Sequence, residues 1–188
     1  MHKNFGKKTW LIPMPVLIIG TYDKEGKPNA MNAAWGGMWD ANHVMISFGH
    51  HATTENIDLR GEFTISFATE EEEVSCDYVG LISAKKEPNK IEKAGWKAVK
   101  GDFVKAPIFD KLPLTLECKV SQKIDESASG YYLIGEIVNI RAEEGILGED
   151  GLPDLSKLKP IMFDPIHNRY YALGKEIGTA FSDGNNLK

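Results

Sequence analysis

Apolar positions recur along most of this chain with a period of two. Val16 to Tyr22 opens on an unbroken apolar run and reads as a buried strand. Asp23-Lys-Glu-Gly26 is a turn, with Gly26 free to take positive φ. The chain then returns as Pro28 to Gly36, which makes a hairpin. Val44 to Phe48 alternates Val, Ile and Phe with Met and Ser, and Glu62 to Ala68 sets Phe63, Ile65 and Phe67 on one face. Leu114 to Val120 alternates again, and Tyr132 to Ile140 is the most regular β pattern of all. Ile161 to Phe163 and Tyr170 to Leu173 are short strands.

Short helices are expected between some of these strands. Glu55 to Arg60 is one, with Thr53 or Thr54 as N-cap and Gly61 at its end. Thr69 and Glu72 form a capping box for a second, reaching about Tyr78 and stopped by Gly80. Asn89 caps a third over Lys90 to Ala94. Glu143 to Leu158 is acidic, carries Gly and Pro, and reads as a long loop; the segment after Gly178 reads as a frayed tail. The count is six or more strands, mostly antiparallel, so the expected fold is mainly β: a small barrel with helical insertions.

With 188 residues the chain is expected to form a single domain, residues 1 to 188. Its net charge of -5 argues against nucleic acid as partner. Lys3, Lys7 and Lys8 ahead of the apolar Trp10 to Ile19 resemble a leader, but Pro13 and Pro15 interrupt the run. No stretch reaches the ~18 apolar residues of a membrane span. Cys76 and Cys118 lack metal-type spacing, and two thiols in a chain this size fit a reducing cytoplasm. Cys118 is expected in the core, and Cys76 on an amphipathic helix.

Two stretches could carry chemistry. Asn29-Ala-Met-Asn-Ala-Ala-Trp35 is unusual for a strand, because it offers small side chains and amides where β-branched residues are usual. Exposed backbone and the amides of Asn29 and Asn32 suit a flat heterocycle, with Met31 or Trp35 as apolar cover; close packing of a neighbour would explain the same residues. The second stretch is His50 to Asn56 at a helix start. It could wrap an anion with free N–H groups and hydroxyls, or Thr53 or Thr54 could simply cap the helix. Two adjacent histidines without further partners at ligand spacing do not make a zinc site.

The order of several segments resembles the flavin reductase-like family, in its flavoredoxin branch. They are Pro13 to Trp35, Val44 to Phe48, Thr54-Glu-Asn-Ile57, Gly61-Glu-Phe63, Pro113 to Cys118, Ile134-Gly-Glu-Ile137 and Tyr171-Ala-Leu-Gly174. The likeness covers roughly residues 10 to 182. It implies an antiparallel, Greek-key split β-barrel that binds FMN non-covalently, and a homodimer with FMN near the subunit interface. By that likeness Asn29, Met31, Asn32, Ala33 and Trp35 line the isoalloxazine. His50, His51, Thr53, Thr54 and Asn56 lie around the ribityl chain and phosphate, and Ser83 and Lys90 approach the cofactor from a later segment. Taken alone, Lys90 reads as a solvated helix residue. Relatives that oxidise NAD(P)H often carry Gly-Asp-His where this chain has Ala128-Ser129-Gly130. That departure points away from direct nicotinamide oxidation and toward reduction by another redox protein. The other functions weighed are an NAD(P)H:flavin oxidoreductase using flavin as substrate, and a non-catalytic haem- or ligand-binding barrel.

Overall fold

A computed structural model describes residues 1–187, with residues 125 and 126 described through their backbone alone. In chain order the strands and helices are β1 (Met14–Pro15), β2 (Leu17–Tyr22), β3 (Pro28–Ala33), β4 (Gly36–Met38), β5 (His43–Phe48), α1 (Ala52–Arg60), β6 (Glu62–Phe67), α2 (Glu73–Leu81) and α3 (Lys90–Lys93). There follow β7 (Ala98–Lys100), β8 (Pro107–Phe109), β9 (Leu114–Ser127), β10 (Gly130–Ala142), α4 (Leu155–Leu158), β11 (Ile161–Asp164) and β12 (Arg169–Ala172).

Seven strands pair in the order β3-β2-β6-β9-β10-β5-β4, every neighbour antiparallel. The two edge strands, β3 and β4, are separated in sequence only by Ala34 and Trp35. Two residues reach from one edge to the other only if the sheet curls on itself, so the pairing order alone dictates a barrel. The Trp35 carbonyl accepts from the Ser47 N–H at 2.8 Å on the far side of that crossing. A three-stranded sheet, β1-β11-β12, and the β7-β8 hairpin lie outside it.

Two apolar clusters hold this arrangement. One collects Leu17, Ile19, Ile46, Phe63, Ile65 and Leu133 from inward-facing positions. The other packs Ile18 and Ala30 against Cys76 and Val79 of α2, with Trp96 and Phe109. Successive residues of β2 therefore enter different clusters, which is why Val16 to Ile19 is apolar without alternation. Cys118 belongs to the first cluster and Cys76 to the second.

Several boundaries differ from the sequence expectation. β3 ends at Ala33 rather than Gly36, because the chain must leave one sheet edge for the other. α1 begins at Ala52, with His51 at the N-cap in place of Thr53 or Thr54. α2 begins at Glu73, because Thr69 bridges Pro160 and the Glu70 N–H donates to the Lys159 carbonyl, which commits both residues to pairing. That helix also runs through Gly80 to Leu81. Residues 143–158 are not a loop throughout: Glu144–Ile146 is a 3-10 turn, Leu147 bridges Pro153, and Asp154 caps α4 by accepting from the Ser156 N–H. β9 continues seven residues past Val120, carried by pairing with β10 rather than by any alternation of its own. Asp183 accepts from the Thr179 N–H within the otherwise exposed tail.

Candidate functional site

Three segments enclose a cleft of about 430 Å³: β3, the junction between β5 and α1, and the stretch from the end of α2 to α3. The approach of α2 to β3 depends on Gly80. A Cβ there would stand 2.7 Å from the Cβ of Asn32, closer than two carbons can sit. Asn32 faces this contact. Its amide donates to the Cys76 carbonyl at 3.2 Å and to the Tyr170 hydroxyl at 3.4 Å, and Tyr170 donates to Asp77 at 2.7 Å. Burial, and then its bond to Asp77, push the Tyr170 pKa up. Asn32 thus builds the wall that places its neighbour Met31 in the cleft.

Asn29 is 2% exposed. Its amide Nδ2 donates to Thr53 Oγ1 at 2.8 Å, joining β3 to the first turn of α1. Its Oδ1 is buried with no hydrogen-bond partner among the described residues. A buried carbonyl oxygen left unpaired costs on the order of 1–3 kcal/mol, so it marks a place where a donor belongs. Thr54 is spent differently: its hydroxyl accepts from the His51 N–H at 2.8 Å and donates to the His51 carbonyl at 2.9 Å. Of the two threonines, only Thr53 lines the cleft. His50 sits at the rim with ring Nε2 2.8 Å from the Ser127 carbonyl. A carbonyl can only accept, so Nε2 carries the hydrogen.

Lys90 lines the same cleft and is 3% exposed, contrary to the solvated helix residue that its local sequence describes. Its Nζ donates to the carbonyls of Val79 at 3.0 Å and Ile82 at 2.9 Å, at the C-terminal end of α2. Burial lowers its pKa to about 8. Ser83 also lines the cleft, from the loop after α2, where its hydroxyl accepts from the Lys85 N–H at 3.3 Å.

The structure therefore gathers Asn29, Met31, Asn32, His50, His51, Thr53, Ser83 and Lys90 around one cavity. Four other expected residues lie elsewhere. Ala33 packs against the barrel cluster. Trp35 sits on the crossing between sheet edges, where the strand's alternation is lost. It lines a separate apolar cavity of about 590 Å³ with Trp10, Leu11, Met45 and Tyr132. Thr54 is buried inside the α1 turn, and Asn56 donates to Thr21 on β2 at 3.0 Å. Asn56 does line a neighbouring cavity of about 560 Å³, which shares Asn29 with the cleft. Val79 and Gly80 join the wall without a sequence signal for it, because a helix glycine reads as a terminator.

Gly130 closes the long hairpin beside His50. Its φ is +142°, and a Cβ would stand 1.9 Å from the Phe48 carbonyl oxygen. No side chain fits there without moving β5. Among the described residues no group of three or more His, Cys, Asp or Glu side chains could hold a metal ion, and no helix is long and apolar enough to cross a membrane.

Comparison with known proteins places this architecture. Residues 9–167 match the flavin reductase like domain. Flavoredoxin of Desulfovibrio vulgaris (Miyazaki F) is 35% identical, with a TM-score of 0.92 over 98% of this chain and 100% of that one. Flavoredoxin from Methanosarcina acetivorans is 30% identical, with a TM-score of 0.88 over the whole of both chains. An FMN-binding domain of a flavin reductases-like enzyme from Shewanella baltica OS155 shares the fold at 19% identity, with a TM-score of 0.74 over 88% of each chain. The chain belongs to the flavin reductase-like family, in its flavoredoxin branch.

Proposed function

We infer that this chain is an FMN-binding flavoprotein of flavoredoxin type, acting in electron transfer as a flavin-dependent oxidoreductase. The observation that carries the reading is the cleft itself, which leaves one buried acceptor, Asn29 Oδ1, without a donor. The residues present fit FMN. Asn29 and Thr53 offer an acceptor and a hydroxyl to a polyol or a ring N–H, and Met31 offers apolar cover to a flat ring. His51 to Thr53 at the start of α1, together with Lys90, favour an anionic group. Bound FMN supplies the redox chemistry, and the protein binds and orients it. Asn32, through Cys76 and Tyr170, fixes the wall on which Met31 stands.

A homodimer is part of this reading. Its support is the exposed large apolar side chains Trp35, Met38, Trp39 and Tyr132, of which Trp35 and Tyr132 line the apolar cavity of about 590 Å³. The electron donor or acceptor is a redox protein or a small molecule, and the compartment is the cytoplasm, in keeping with two free buried thiols.

Absorbance of the purified chain tests the reading. Bands of oxidised flavin that survive gel filtration are expected, with FMN released on denaturation. A colourless protein that reduces added FMN with NADH would replace it by a flavin-as-substrate oxidoreductase, and a Soret band by haem binding.

A further inference from the structure

The cleft does not end at Asn29. A second cavity of about 560 Å³ opens off it, and the two share Asn29 on β3, Ala52 and Glu55 on α1, and Ala84 and Lys85 of the loop between α2 and α3. Two elements give this trough its direction. Along β3, Asn32 and Met31 line the first cavity alone, Asn29 lines both and Pro28 lines the second alone. Along α1, Thr53 lines the first, Glu55 both, and Asn56 and Leu59 the second. The second cavity is by itself within the roughly 300–1,000 Å³ of a small-molecule site. Asn29 stands where the two meet, 2% exposed, and its Oδ1 is the buried acceptor without a partner among the described residues.

The second cavity differs from the first in its chemistry. Its ionisable side chains are the carboxylates Asp23, Glu25 and Glu55 and the lysines Lys24, Lys27 and Lys85, so the charges cancel. Glu55 meets Lys85 at 2.5 Å, Glu25 meets Lys24 at 3.3 Å, and Asp23 accepts from the Lys27 N–H at 2.8 Å. Apolar wall comes from three elements: Pro28 on β3, Leu59 on α1, and Ala84 with Pro88 on the loop. Leu59 is 58% exposed, so a guest laid on it removes from water apolar surface that the fold leaves there. Arg60 donates to the carbonyls of Asp23 and Lys24, which holds the turn between β2 and β3 against α1 and keeps the cavity in shape. Such a site suits a neutral guest with apolar faces and a polar edge, where the first cavity suits an anion.

We propose that the second cavity is a nucleoside site: it takes the adenosine half of FAD while the flavin half occupies the first. This rests on the flavin reading above. The diphosphate crosses between the cavities at Ala52 and Lys85. Ala52 opens α1, and the first N–H groups of a helix have no intrahelical acceptor. A diphosphate linkage carries about the same two negative charges as the FMN phosphate at pH 7, so the crossing serves either flavin. A sugar hydroxyl passing Asn29 supplies the donor that its Oδ1 lacks. Adenine lays its faces on the Leu59 wall and turns its amino edge to the carboxylates.

The test is a fluorescence titration of the full chain, freed of flavin, with FMN and with FAD. FAD is expected to bind about tenfold more tightly than FMN. Leu59→Glu replaces an exposed side chain, so the fold survives it; it is expected to weaken FAD about tenfold and leave FMN unchanged. Free adenosine in the millimolar range should weaken FAD in the wild type and leave FMN alone, a readout that needs no variant. A chain that binds FMN but binds FAD more weakly overturns the nucleoside site and leaves the FMN reading standing. So does Leu59→Glu that weakens both flavins equally or neither, and so does adenosine without effect on FAD. A wild-type chain that binds neither flavin overturns the FMN reading itself, and this inference with it.

Discussion

Glu117 in the barrel wall and Lys90 in the cleft are both buried charges, 0% and 3% exposed, and the fold treats them in opposite ways. Glu117 sits on β9, and both its oxygens are hydrogen-bonded. Its Oε2 accepts from the N–H groups of Phe103 at 2.8 Å and Val104 at 3.1 Å, and its Oε1 accepts from Asn139 Nδ2 at 2.8 Å. The first two fasten the 101–106 loop to the barrel and the third ties β9 to β10, so each oxygen serves structure. Lys90 gives two bonds to the carbonyls at the end of α2 and lines the cleft with Asn29, whose Oδ1 has no partner among the described residues. A buried polar group that is fully partnered belongs to the fold. One left partly unpartnered beside a cavity points to a ligand.

The sharpest way to break this contrast is at Glu117. Glu117→Ala removes the acceptor of three donors and opens a cavity, and is expected to lose about 3 kcal/mol or more of stability in urea unfolding. The ratio of FMN to riboflavin affinity should not move. A change in that ratio would mean the barrel wall takes part in the site.

Next comes Gly130, where a Cβ meets the Phe48 carbonyl at 1.9 Å. Gly130→His should lose roughly 2–3 kcal/mol through backbone strain. It should not confer reduction by NADH, which in the wild type is expected well below about 10 per second. Rapid reduction of the wild-type flavin in stopped flow would contradict this.

Lys90→Met should act with the opposite sign to Glu117→Ala. In flavin-free chain it is expected to leave stability unchanged or raise it by up to about 2 kcal/mol, because a buried charge is replaced by an apolar side chain. The pH dependence follows. The folded-state pKa, about 8, lies below the unfolded value near 10.4, so the unfolded chain binds more protons between them. Wild-type stability should therefore rise from pH 8 toward pH 10 relative to Lys90→Met. A wild type that loses stability against the variant over that range would refute a pKa lowered by burial.

The smallest effect is expected at Thr54. Its hydroxyl serves the His51 backbone, so Thr54→Val should cost about 1 kcal/mol of stability and weaken FMN and riboflavin alike. A loss specific to FMN would return Thr54 to the phosphate.

The strands were legible wherever burial was one-sided or complete. Phe63 and Ile65 declare themselves by period, since a strand face is a local property. Less legible were elements made by partners. β9 beyond Val120 is a strand because β10 lies beside it. The late start of α2 follows from the pairing of Thr69 with Pro160, ninety-one positions away.

The site divides the same way. The amino-acid order alone marked Asn29 to Trp35 as too small and too polar for an ordinary strand, and set His50 to Asn56 at a helix start. Those are properties of residue type along a few consecutive positions. Only the tertiary structure decided which of two adjacent threonines faces the cleft, that Trp35 leaves it at the crossing between sheet edges, and that Gly80 lets a helix lie against Asn32. It also turned Lys90 inward. A lysine in Asn-Lys-Ile-Glu-Lys looks solvated from its neighbours, because the helix end and cavity that surround it are assembled from β3, α1 and α2, and burial is a property of that assembly rather than of the segment.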